Sequence, residues 1–290
     1  MLAACGWPGS ATPAAAASAE QSINVAAAPV RVAQTPNGPV GYRVVGSGSP
    51  LLLITGFSAG MDDWSPAFVD ALASHHRVVV FDNAGVGMTG ALDPLTITAM
   101  ANQTSALITS LRLGRPSVLG WSMGGMVAQA LAVLHPSQVS HLVLAATQAG
   151  NGKALPIPSA AAAAAASTNA AMVLGVLFPP SQATAVKTYV HGILEYANYY
   201  SAPAATKTAQ TAAIQQWLAG DDPAGHLTTD IRVPTLVADG TVDALDPVAN
   251  DQLLARTIPG SQLALYSDAG HGFLFQDLAS FVSRVDQFIR

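Results

Sequence analysis

Residues 117–125 read SVLGWSMGG: a short apolar run, then Gly120-x-Ser122-x-Gly124, leading straight into MGGMVAQALAVLH and ending at Pro136. The second run has apolar residues at helical spacing. Strand, glycine-flanked turn and helix in that order project a serine hydroxyl from the end of a sheet, with the N-terminus of the next helix behind it. The same five-residue pattern recurs at 56–60, in LLLITGFSAG. There the residues AGMDDWS delay the helix, whose start is signalled by Ser65 and Pro66. Ser122 has the context of a nucleophile on a sharp turn and Ser58 does not.

Working outward, LLLITG (51–56) and RVVVFD (77–82) are continuous apolar runs, as in strands buried on both faces of a parallel sheet. SVLGW (117–121), HLVLAAT (141–147), TLVADG (235–240) and LALYSDAG (263–270) repeat the type, while VGYRVVG (40–46) alternates like a more exposed strand. Helical stretches at 65–74, 96–111, 122–135, 247–257 and 275–289 fall between them. The alternation predicts an α/β fold, a doubly wound, mostly parallel sheet whose ligands meet the carboxyl ends of the strands.

Residues 151–230 break this rhythm with three helical stretches, 159–177, 181–200 and 205–220, and no strand pattern. The expected plan is a flexible N-terminal segment (1–29), a core (30–150 and 231–290) and an inserted helical cap (151–230). In the cap, Leu174, Leu177, Phe178, Tyr196, Tyr199, Tyr200 and Trp217 could line an apolar lid for acyl chains or pack the cap on the core.

Half of the 290 residues are hydrophobic and 10% are charged, which favours a compact core over a solvated, disordered chain. With a net charge of −5 and no block of Lys or Arg, no nucleic-acid partner is expected. The body of the chain has no apolar run long enough to span a bilayer. The single cysteine, Cys5, has no internal partner, and no Cys/His cluster shows zinc spacing, so no metal is expected. The opening MLAAC resembles the end of a bacterial lipoprotein signal. That resemblance implies a lipid anchor at Cys5, a Gly/Ala/Ser/Pro-rich tether over 6–28 and a cell-envelope or secreted location. The alternative is a chance Leu-Ala-Ala-Cys in an Ala-rich chain that stays in the cytoplasm.

A serine nucleophile needs a base, and the base needs an orienting acid. Among the seven histidines, His271 in SDAGHGF follows a strand in a glycine-flanked loop before the last helix. From there an imidazole can reach the top of the sheet. His135 closes a helix, His75 and His76 lie in a helix-to-strand connection, His141 begins a strand, and His191 and His226 lie in or near the cap. The acid follows by elimination, since no Asp or Glu occurs between Asp93 and Glu195. Asp243, on the loop after TLVADG, is the first candidate, with Asp239 and Asp268 behind it. Asp246, before Pro247, is expected to cap the helix that follows.

Over roughly residues 30–290 the chain resembles the α/β-hydrolase family, through GWSMGG, FDNAGVGMTG, ADGTVDALDP and DAGHGF. The order Ser122, Asp243, His271 is the order of that family's catalytic groups. The resemblance implies an oxyanion hole built from the backbone N–H groups of Met123 and Phe57, with Asp82 bracing the turn after its strand. Where family members usually carry His-Gly before the second donor, this sequence has Thr55-Gly56. A serine at 122, where other members use a carboxylate, points away from dehalogenase and epoxide hydrolase chemistry. The expected reaction is hydrolysis of a small apolar carboxylic ester through an acyl-enzyme, with no cofactor. Carbon–carbon bond hydrolysis, perhydrolase activity and non-catalytic ligand binding are the alternatives. A dinucleotide site at Gly85-x-Gly87-x-x-Gly90 is not expected, because the acid-free span after Asp93 lacks the ribose-binding carboxylate and Pro94 interrupts the required helix.

Overall fold

The computed structural model describes residues 23–197 and 199–290. Eight strands form one sheet in the order β1-β2-β4-β3-β5-β6-β7-β8. The first four are β1 (Arg31–Thr35), β2 (Gly38–Val45), β3 (Pro50–Ile54) and β4 (Arg77–Phe81). The others are β5 (Ser117–Trp121), β6 (Leu142–Ala145), β7 (Thr235–Gly240) and β8 (Gln262–Tyr266). β2 runs antiparallel to both β1 and β4, and the remaining pairings are parallel. β1 is absent from the sequence expectation. It is a half-exposed edge strand joined to β2 by a tight turn, where the Thr35 hydroxyl donates to the Gly38 carbonyl at 2.7 Å.

The apolar runs are continuous because both faces of the central strands are covered. Leu52 and Ile54 of β3 join the core under α2 (Ile97–Ser110) and α3 (Met123–Leu134). Leu51 and Leu53 join the opposite core, under α1 (Pro66–Ala73) and the C-terminal helices. Between β6 and β7 stand α4 (Ser159–Ala165), α5 (Ala170–Leu177), α6 (Ala183–Ile193) and α7 (Ala204–Ala219). The single helix expected over 159–177 is two, because Asn169 caps a new start by accepting from the Ala171 N–H at 3.0 Å. After β7 come α8 (Val248–Thr257), α9 (Phe273–Gln276) and α10 (Leu278–Phe288), so the expected last helix is also broken in two.

The lipidation expected at Cys5 lies outside the described residues. Of the N-terminal segment expected to be flexible through residue 29, only residues 23–29 are described. Val25 is fully buried, and its N–H donates to Asp70 at 2.8 Å, so core packing begins by that residue. No helix among the described residues is long and apolar enough to cross a membrane.

One buried ion pair ties the sheet to the turn preceding α1. Arg43 of β2 bonds Asp62 at 3.2 Å, with both side chains almost completely buried. The same guanidinium donates to the Ala28 carbonyl and lies over the Tyr196 ring, 5.4 Å from its centroid. Truncating one member leaves the other charged and unpaired in the core. Asp62→Ala should therefore lose about 3–5 kcal/mol of unfolding free energy. The double variant Arg43→Met/Asp62→Leu should lose less, which chemical denaturation of both proteins will check.

Candidate active site

The carboxyl ends of β3, β5, β7 and β8 deliver the residues that the sequence singles out. β5 ends at Trp121, and Ser122 follows with φ 58° and ψ −124°, a conformation an L-residue holds only under constraint. The constraint is the packing of α3. A Cβ on Gly124 would lie 2.1 Å from the Ile54 carbonyl oxygen, so only glycine lets the first turn of α3 rest against the end of β3. Met123 opens α3, and as its first residue it has no intrahelical acceptor for its N–H.

Phe57 sits on the loop after β3 and lines the same cavity as Ser122 and Met123. That loop is held from above, where Gln210 of α7, itself fully buried, accepts from the Ser58 N–H at 2.8 Å. Gln210 carries no sequence signal, being one polar residue in an Ala-rich helix. Asp82 braces the next turn, accepting from the N–H groups of Met61 at 2.8 Å and Met88 at 3.4 Å.

His271 is 3% exposed, and its Nδ1 lies 2.6 Å from Asp243 Oδ2. The other oxygen of Asp243 accepts from the N–H groups of Leu245 at 2.6 Å and Asp246 at 2.9 Å, which fixes the carboxylate. The Trp121 indole N–H donates to the His271 carbonyl at 2.9 Å, tying the histidine loop to the strand that carries Ser122. Facing a carboxylate, Nδ1 holds the proton and Nε2 is left as an acceptor. Nε2 is buried and has no hydrogen-bond partner among the described residues, while its ring and Ser122 line a common cavity. Burial disfavours the imidazolium, but the Asp243 charge, its hydrogen bond and Asp246 outweigh it, so His271 titrates above its ordinary value.

The other candidate acids lie elsewhere. Asp268 accepts from the Ser181 hydroxyl at 3.1 Å, and Asp239 is buried at the end of β7. Asp246 is not the helix cap expected of it. Its side chain turns inward, where one oxygen accepts from Gln148 and Asn250, each at 2.9 Å. Of the expected lid residues, Leu174, Leu177, Tyr196 and Tyr199 line the cavity on the α5–α6 side. Phe178 and Trp217 follow the other reading and pack in the two cores, and Tyr200 is exposed.

Behind Asp243 lies a feature without a sequence signal, since it joins residues of β7, the following loop and α8. Carboxylate oxygens of Asp239, Asp246 and Asp251 lie within 4.8 Å of one another and are all buried. This is the one group of potential metal ligands that converges among the described residues. Burial raises all three acids, Asp246 to about 7 and Asp251 to about 9.

The family model for the alpha/beta hydrolase fold matches residues 49–278. The chain belongs to that family. It is 29% identical over 264 residues to a protein of Azorhizobium caulinodans named as a candidate carbamate hydrolase, covering 85% of this chain and 96% of the relative. It is 28% identical over 248 residues to a poly(3-hydroxyalkanoate) depolymerase of Ectopseudomonas oleovorans, covering 83% of this chain and 84% of that one. Among solved structures, an alpha/beta hydrolase fold protein from Chitinophaga pinensis superposes with a TM-score of 0.81 at 26% identity, covering 92% of this chain and 98% of its own.

Within this hydrolase fold, the buried acids set a pH dependence of stability. Asp251 keeps its proton in the folded protein up to about pH 9, whereas the unfolded chain releases it near the ordinary value of 3.8. Its stabilising contribution is therefore complete below that lower value and is lost progressively as pH rises toward the upper one. Asp251→Asn removes the linkage while keeping a hydrogen-bond donor. The melting temperature of the variant relative to wild type should rise between pH 5 and pH 9, as measured by thermal denaturation across that range.

Proposed function

We propose that the protein is a serine esterase that hydrolyses a carboxylic ester through an acyl-enzyme. Ser122 is the nucleophile, His271 the general base and then acid, and Asp243 the group that orients the imidazole. His271 Nε2 takes the hydroxyl proton as Ser122 Oγ attacks the ester carbonyl. The backbone N–H groups of Phe57 and Met123 stabilise the oxyanion of the tetrahedral intermediate. His271 returns the proton to the departing alkoxide, which leaves as the alcohol. Water then attacks the acyl-enzyme by the same route, releasing the acid and restoring Ser122. The helical insertion acts as a cap that roofs the site and supplies the apolar walls.

The observation that carries this reading is the 2.6 Å contact between His271 Nδ1 and Asp243, with Nε2 unpartnered in a cavity that Ser122 also lines. The likeness to a depolymerase whose named substrate is a polyester adds support. The likeness to the candidate carbamate hydrolase favours carbamates as a second class, since the same steps cleave a carbamoyl group from its leaving group.

Hydrolysis of p-nitrophenyl esters tests the proposal. Ser122→Ala should cut kcat by about four orders of magnitude, with Asp243→Asn of similar severity. His271 acts as a base only when neutral, and its pKa is raised, so the acid limb of kcat/KM should have its midpoint above pH 6.5. A Ser122→Ala variant with wild-type turnover, or a rate that stays flat through this range, would overturn the assignment.

A further inference from the structure

The cavity above Ser122 has two chambers. One, about 490 Å³, extends under α4 and α7 and is walled by Ala162, Ile214 and Leu218. The other, about 510 Å³, extends under α5 and α6 and is walled by Val173, Leu174 and Ile193. The two share Ser122 and His271, together with Phe57, Ala165 and Leu245. The reacting groups thus stand where the chambers join, rather than at the blind end of a single pocket. Each chamber by itself falls in the size range of roughly 300–1,000 Å³ that holds a whole small ligand.

The walls indicate what each chamber accepts. The acid of the first, Asp246, is already held by Gln148 and Asn250. The acid of the second, Asp63, already accepts from the Gly60 N–H and the Tyr199 hydroxyl, each at 2.8 Å. Lys207, at the second chamber, is the only Lys or Arg among the described residues that lines either of them. Most of the remaining wall of both chambers is apolar, so a neutral chain gains by burial in either direction.

An ester carbonyl bound at Ser122 has two arms, the acyl chain and the alkoxy group. They diverge from the atom under attack just as the chambers diverge from the serine. Resting on the esterase reading above, we infer that the substrates are esters with a sizeable apolar group on both sides of the scissile bond, one arm in each chamber. Esters with one arm cut down to methyl leave a chamber unfilled and forgo its binding energy in the transition state.

A two-way grid of esters tests this, from acetyl to hexanoyl on one axis and methyl to hexyl on the other, followed by proton release. Wild type should prefer length on both axes. Ala162→Phe fills the first chamber and Val173→Trp the second, and neither residue belongs to the buried cores. Each should lower the hexyl-to-methyl or hexanoyl-to-acetyl ratio of kcat/KM by about tenfold or more, one axis per variant and a different axis for each. Because each readout is a ratio within one protein, a change in overall activity does not enter it. Ala162→Leu and Val173→Phe serve as milder fillings if the larger ones fail to fold. A working wild type whose two fillings affect the same axis, or neither, overturns the two-arm inference alone. A wild type that hydrolyses no ester of the grid overturns the esterase reading, and this inference with it.

Discussion

The close approach of α3 to the end of β3 is the constraint on which the site depends. The first turn of the helix lies so near the Ile54 carbonyl that position 124 has no room for a side chain. Gly120 meets a similar limit, since a Cβ there would lie 2.3 Å from the Gly124 carbonyl oxygen. Once strand and helix are pressed together at these two glycines, the residue between them must turn sharply, and Ser122 takes its positive φ as a result. Local strain of order 1–3 kcal/mol is carried by the burial of α3, whose residues from Met123 to Ala132 are all covered. The elbow exposes the serine because the surrounding core leaves the chain no other path.

Electrostatics complete what packing begins. Asp243 is held by two backbone N–H groups and by His271, so its orientation does not depend on water. The neighbouring acids Asp239, Asp246 and Asp251 would make a dense negative field if all were ionised. Burial holds protons on Asp239 and Asp251, and the charge felt by His271 comes first from Asp243, which it touches, and then from Asp246. The same arrangement makes the fold sensitive to alkali, a cost carried by the scaffold rather than by the reacting groups.

Much of this was legible in the sequence, for physical reasons that differ from one element to the next. Strands buried on both faces show as unbroken apolar runs, so β3 to β7 could be read directly. Ser122 could be separated from Ser58 because a helix must follow an elbow at once. Asp243 stood out because the chain between Asp93 and Glu195 is free of acids. What stayed hidden depends on contacts between distant segments. β1 is short and half exposed, and Gln210 matters only because α7 passes over the Ser58 loop. Asp246 reads as a cap in one dimension, yet its side chain faces Gln148 in three. Trp217 reads as either lid or packing, and only the fold decides, since its indole donates to the Gln148 carbonyl within the core.

The central claim is that Ser122, activated by His271, is the one nucleophile of the site. Labelling with a fluorophosphonate probe, followed by mass spectrometry of the modified peptide, tests it most directly. The predicted result is one probe per chain, attached to Ser122, with labelling abolished in Ser122→Ala. Equal labelling of wild type and Ser122→Ala, or a probe found on Ser58, would contradict it.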